Sequence, residues 1–267
     1  LMVCLAAMQG MGKPGSNIWS TMQGAPCNAS FNFPGYAGGV NAENLENQKK
    51  WFAPAPQSIQ RLRLPEAILE GKAEWNPTVW GGPVEPQFKR MSYPAQGQPE
   101  IQMIYSFGGS QIGTMTETNR YVKMYRSENL KCVVSQTVWF EGEAKFADII
   151  LPACTNFERW DIGEFANSGG SGAATYTQNN HRIVVLQQKC IEPLGESKSD
   201  YSIFSDLAKR LGIYMEYTDG GKTEMDWIRL MFERSDMPKY ITWDEFCKKG
   251  YFVVPLDPEQ KYTPALR

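Results

Sequence analysis

Apolar and polar positions fall into blocks along the chain, and the sharpest blocks lie in its middle. Residues 100–107 (EIQMIYSF) are an apolar run of strand length. It ends in the Gly-rich stretch 108–114 (GGSQIGT), and a helix-compatible stretch follows to about Tyr125. Residues 130–136 (LKCVVSQ) predict a second strand, the polar 140–147 (FEGEAKFA) a short helix, and 148–153 (DIILPA) a third strand. That order reads as βαβαβ, a parallel sheet covered by helices. Residues 182–189 (RIVVLQQK) predict a further strand. Ser197 or Ser199 can then cap a helix on which Tyr201, Phe204, Leu207, Ala208 and Leu211 mark one face. Residues 224–234 and 243–250 predict two more helices. The fold class expected is α/β, a Rossmann-like parallel sheet with flanking helices plus long irregular loops.

The first hundred residues are patterned differently. Residues 1–9 (LMVCLAAMQ) favour a helix without the basic region of a signal peptide, so the chain is expected to be an internal fragment of a longer polypeptide. Gly10, Gly12, Pro14 and Gly15 end that helix. From there to about Gly39 the chain is rich in Gly, Pro, Asn and Ser, yet it holds Trp19, Phe31, Phe33 and Tyr36. Disordered segments are poor in aromatics, so an ordered loop is expected. Such a loop either binds something or only packs. Residues 58–71 allow a short helix, with Pro65 interrupting it or starting a second one, and 75–99 read as connection. Residues 160–180 are polar and Gly-rich.

Composition narrows the function classes. The 267 residues are 42% hydrophobic and 21% charged, the profile of a folded chain. Lys plus Arg is 27 and Asp plus Glu is 29, a net charge of −2 that speaks against a nucleic-acid partner. No apolar run approaches the ~18 residues of a membrane span. The six cysteines stand at least 22 positions apart, and His181 is the sole histidine. A zinc or iron–sulfur site draws on closely spaced ligands, so no metal ligand is assigned within this chain. Scattered cysteines suggest reduced thiols and a cytoplasmic location.

In a parallel sheet, ligands sit beyond the carboxyl ends of the strands. Three places qualify. GGSQIGT, with Gly108, Ser110 and Thr114, either cradles a phosphate or is a plain strand–helix turn. Gln136, in Ser135-Gln136-Thr137, either reads a base or ribose or satisfies local backbone. Asp200 either meets a ligand or simply favours the positive end of its helix. Glu158, Asp161 and Glu164 near Trp160 offer acid/base chemistry or a solvated charged loop. There is no G-x-S-x-G and no H-E-x-x-H.

Three segments resemble the molybdopterin oxidoreductases, the dimethyl sulfoxide reductase family. LMVCLAAMQGMGKPGSNIW is similar to that family's apolar helix, G-x-x-G-[KR]-x-G turn and loop to the pterin. VVSQTVWFEGEAKFADIILPACTNFE keeps the A-D-x-x-L-P frame through Ala147-Asp148, Leu151-Pro152, Thr155 and Glu158. It departs at Gly142 and Glu143, where the family has threonines. SFGGSQIGT resembles the turn often written G-x-[ND]-P, with Ser110 and Gln111 in place of the usual residues. Within the family the wording is nearest to members that move hydroxyl groups between polyhydroxybenzenes, carrying pyrogallol to phloroglucinol.

The resemblance implies a cofactor, bis-molybdopterin guanine dinucleotide with molybdenum, held by the intact large subunit of an anaerobe that degrades aromatics. It implies iron–sulfur clusters on a small partner subunit, and no net redox change. It places Gly108, Ser110, Thr114, Gln136 and Asp200 at one guanine dinucleotide, and Trp19, Met22 and Gln23 near the pterin and metal. Tyr36 becomes a candidate acid or base beside a polyhydroxybenzene substrate, or a packing residue of its loop. The metal's side-chain ligand would lie outside this chain. The organisation expected is 1–99, a cofactor- and substrate-lining helix with long loops, and 100–267, an α/β guanine-dinucleotide-binding domain. Two other readings remain: another reductase or hydratase of the same family, and a stand-alone α/β nucleotide-binding module.

Overall fold

The computed structural model describes residues 4–5, 8–10, 33, 57–77, 88–108, 110–164 and 183–255. The chain divides into two compact units, and both are discontinuous in sequence. One comprises Phe52–Arg159 and Lys189–Gly220; the other Leu1–Trp51, Trp160–Gln188 and Gly221–Arg267.

The first unit opens with a short helix, α1 (Leu64–Glu70), whose Pro65 sits in the first turn, where a missing N–H costs nothing. Strands β1 (Ala73–Trp75) and β2 (Met91–Tyr93) pair antiparallel. The parallel sheet follows: β3 (Met103–Phe107), β4 (Cys132–Thr137) and β5 (Ile149–Pro152), in the order β3-β4-β5. Between β3 and β4 lie α2 (Gln111–Thr114) and α3 (Thr118–Tyr125); between β4 and β5 a 3-10 turn covers Gly142–Phe146. The βαβαβ expectation therefore holds. Central β4 is buried continuously from Val133 to Gln136, as a strand flanked on both edges and covered on both faces must be. Tyr121 and Met124 of α3 pack with Ile68 and Val133, and Met124 is fully buried. Burying one such side chain contributes about 1.5–3 kcal/mol.

The A-D-x-x-L-P frame proves to be a set of pins. Asp148 accepts a hydrogen bond from the Val133 backbone N–H at 2.8 Å, and its own N–H donates to the Val133 carbonyl at 2.8 Å, so one residue locks β5 to β4. Glu158, 5% exposed, accepts from the Thr155 N–H (2.6 Å), the Thr155 hydroxyl (2.7 Å) and the Leu194 N–H (2.7 Å). Those donors, the Thr155 hydroxyl foremost, hold its carboxyl down to about 2. A depressed carboxyl lends its stability above the unfolded value near 4.5 and loses it as pH falls toward 2, so Glu158 stays an ionised acceptor throughout the neutral range. This assigns Glu158 a structural role, not acid/base chemistry.

Through Glu158 the returning segment is drawn alongside β5. Lys198 donates its N–H to the Pro152 carbonyl (3.1 Å), and its own carbonyl accepts from the Cys154 N–H (2.9 Å). Ser199 then caps α4 (Asp200–Arg210), its hydroxyl accepting from the Ser202 N–H at 3.1 Å. Of the helix face read from sequence, Ala208 is buried, joined by Ile203, whereas Leu207 and Leu211 stay exposed. A short helix, α5 (Tyr214–Tyr217), completes this unit.

In the second unit β6 (Asp161–Glu164), β7 (Ile183–Gln187) and β8 (Tyr251–Val253) form an antiparallel sheet in the order β6-β7-β8. Helices α6 (Glu224–Arg234) and α7 (Trp243–Lys249) each begin in a capping box, Thr223 with Asp226 and Thr242 with Glu245. The core gathers Ile162, Val184, Phe232, Met237, Phe246 and Phe252. Phe33, from the aromatic loop, is fully buried in that core. Among the described residues no helix is long and apolar enough to cross a membrane.

Candidate functional site

The three parallel strands end side by side, Phe107 opposite Gln136 and Gln136 opposite Leu151. Beyond those ends opens a cleft of about 310 Å³. Gly108 and Ser110 line it after β3, Thr137 at the end of β4 and Trp139 beyond it, Ala153 and Cys154 after β5, and Asp200 at the start of α4. The strand-edge rule thus brings Gly108, Ser110, Gln136 and Asp200 around one space.

Gln136 is 1% exposed and hydrogen-bonded at both ends of its amide. Its Oε1 accepts from the Tyr105 hydroxyl at 2.5 Å, and its Nε2 donates to Asp200 Oδ1 at 2.6 Å. Burial, and secondarily the Asp200 charge, raise the Tyr105 phenol above its ordinary value, so Tyr105 stays protonated and serves as the donor. Asp200 itself is exposed to the cleft. A buried amide fixes one of its oxygens and leaves carboxylate facing the open space.

The Gly-rich turn is arranged differently from an open phosphate cradle. Glu143, 3% exposed, turns its carboxylate onto the start of α2, accepting from the backbone N–H groups of Gln111 and Ile112, the latter at 2.8 Å. The Gly113 N–H donates to Ser110 Oγ at 2.9 Å, and the Thr114 hydroxyl donates to the Ser110 carbonyl. The N–H groups of Gln111, Ile112 and Gly113 and the Thr114 hydroxyl are thus engaged within the protein. Gly142, at φ +50°, lets the chain pass Ser110: a Cβ there would stand 2.7 Å from Ser110 Oγ. Gly108 is at φ +65° with nothing within 4 Å of a Cβ, so glycine serves the backbone conformation there rather than a close approach.

Thr114 is exposed and is not among the cleft-lining residues. Trp19, Met22, Gln23 and Tyr36 lie outside the described residues. Sequence reasoning did not single out Tyr105, Trp139, Glu141 or Cys154 for the site, and it noted Glu143 only as a departure from the threonine pattern. That departure was the available signal, since a carboxylate replacing a hydroxyl beside a Gly-rich turn announces a different use of the turn's N–H groups. Among the described residues the cleft carries three carboxylates, Glu141, Glu143 and Asp200, and no lysine or arginine. Such a lining suits a neutral group rich in N–H donors better than a phosphate.

Residues 3–210 match the family model described as molybdopterin oxidoreductase. The chain belongs to the molybdopterin oxidoreductase family. It is 51% identical over 287 aligned positions to the pyrogallol hydroxytransferase large subunit of Pelobacter acidigallici, covering all of this chain and 33% of that protein. It is 32% identical over 170 positions to the dimethyl sulfoxide/trimethylamine N-oxide reductase of Rhodobacter capsulatus, covering 59% of this chain and 18% of that one. Dimethyl sulfoxide reductase DmsA of Escherichia coli matches at 33% over 157 positions, 57% of this chain and 18% of that one. The chain therefore spans about a third or less of the length of these relatives. Membership in the molybdopterin oxidoreductases implies molybdenum and a molybdopterin cofactor. Among the described residues no group of three His, Cys, Asp or Glu side chains converges to hold a metal ion.

Proposed function

We propose that this chain is the segment of a molybdenum enzyme's large subunit that holds the guanine end of one molybdopterin guanine dinucleotide. The enzyme transfers hydroxyl groups between polyhydroxybenzenes, pyrogallol to phloroglucinol. The observation that carries the cofactor part is the Asp200 carboxylate, fixed by buried Gln136 at the mouth of an acidic cleft. Guanine presents adjacent N–H donors on one edge, and a carboxylate accepts such a pair; adenine has no such edge. Ser110 and Thr137 add hydroxyls at the same rim. When bound, the cofactor supplies the molybdenum centre at which a ring hydroxyl is exchanged. This chain's own described residues bind and orient the nucleotide end.

The reaction is supported by the 51% identity over the whole chain to a protein named for pyrogallol hydroxyl transfer. That relative is named a large subunit, which supports a small partner subunit, carrying iron–sulfur clusters as the family resemblance implies. A cytoplasmic setting is supported by the scatter of the six cysteines, which stand at least 22 positions apart along the chain, as reduced thiols do. Tyr36, Trp19, Met22 and Gln23 stay as proposed substrate- and pterin-lining residues.

The test is the composition and turnover of the purified full-length protein. It is expected to carry molybdenum, to release guanine nucleotide on mild acid hydrolysis, and to convert pyrogallol. Molybdenum and guanine nucleotide without pyrogallol turnover would move the assignment to another reaction of the family. Absence of guanine nucleotide would overturn the reading of the cleft.

A further inference from the structure

We infer that Tyr105 is a positioning residue for nucleotide selection, acting through Gln136 on the Asp200 carboxylate. The inference rests on the proposal that the cleft takes a guanine base. Gln136 is out of reach of solvent, so its amide oxygen must find a protein donor or go unpaired. Tyr105 supplies that donor, leaving the amide nitrogen to face Asp200. A flipped amide would set its oxygen against the carboxylate. Donation thus runs in one direction, from phenol to amide to carboxylate, and the last acceptor in the series faces the cleft.

Tyr105 is itself held by a ring contact independent of this chain of hydrogen bonds. It stacks on Phe204 of α4 with centroids 5.7 Å apart, and Phe107 meets the same ring edge-on at 5.6 Å. Asp200 opens the helix that carries Phe204, so ring packing and hydrogen bonding together tie the end of β3 to the carboxylate. With its rotamer set in advance, Asp200 need not lose side-chain freedom when a base arrives. Tyr105→Phe keeps the ring and its stack and removes the hydroxyl alone.

The experiment measures binding of GMP and AMP to the full-length large subunit prepared without cofactor, by equilibrium titration. Wild type is expected to prefer GMP, and Asp200→Asn to lose that preference. Tyr105→Phe is expected to weaken GMP about tenfold, equivalent to about 1.4 kcal/mol, with AMP unchanged. In a Gln136→Met background the same Tyr105→Phe change is expected to add nothing, because the link it acts through is gone. A merely structural role for Tyr105 would weaken both nucleotides and persist in that background, and would overturn the inference. If Asp200→Asn loses GMP preference while Tyr105→Phe binds as wild type, the relay is wrong and the reading of the cleft stands. If wild type does not distinguish GMP from AMP, the reading of the cleft fails and the relay with it.

Discussion

Glu143→Ala is expected to destabilise the parallel-sheet unit by about 2–4 kcal/mol. The carboxylate is 3% exposed and accepts from two consecutive backbone N–H groups, those of Gln111 and Ile112. A hydrogen bond to a charged group is worth about 1.5–3 kcal/mol, and buried donors stripped of it keep their desolvation penalty. The charge also opposes the positive end of α2, which adds a few tenths of a kcal/mol. Glu143→Gln keeps an acceptor oxygen and loses the charge, so about half the effect should remain. Urea unfolding followed by circular dichroism measures both. A loss below about 0.5 kcal/mol for Glu143→Ala would mean that water or a bound group, not this side chain, satisfies the turn.

In the antiparallel unit the largest effect is expected at Phe246. Its ring is fully buried, stacks on Phe232 at 5.5 Å and meets Trp243 at 6.2 Å. Phe246→Ala removes the ring and leaves a cavity walled by two other aromatics that α6 and α7 hold in place. Collapse is hindered there, so the cost should lie in the range of about 3–5 kcal/mol found for deleting a buried Phe. Denaturant unfolding of the variant tests this, with a midpoint close to wild type contradicting the packing described.

These two sites show what was legible in the sequence. Strands β3, β4 and β5 announced themselves because each is an apolar run between polar turns, and α4, α6 and α7 carried cap residues ahead of periodic faces. Strands β1, β2 and β8 have three residues each, too few to show an alternation, and they exist because a partner strand supplies hydrogen bonds. β6 hides in a polar stretch, where Ile162 alone turns a buried apolar side chain to the core. At the site, Gln136 and Asp200 were reachable from their places at a strand edge and a helix start. Their contact joins positions 64 apart, and those of Tyr105 with Gln136 and Gln111 with Glu143 join positions 31 and 32 apart. Periodicity reports on neighbours along the chain and is silent about such pairings. Glu158 invited an acid/base reading, whereas it and Asp148 direct their carboxylates at backbone N–H groups that fix the sheet edge.

The central claim is that the cleft at the end of the parallel sheet takes the guanine end of a molybdopterin cofactor. The measurement that tests it most directly is an experimental structure of the full-length protein with its cofactor bound. The account predicts a purine ring in this cleft, its N–H edge on the Asp200 carboxylate, with Gln136 still bridging Tyr105 and Asp200 and Glu143 still seated on α2. A cleft filled by side chains of the rest of the subunit, with every guanine bound elsewhere, would contradict it.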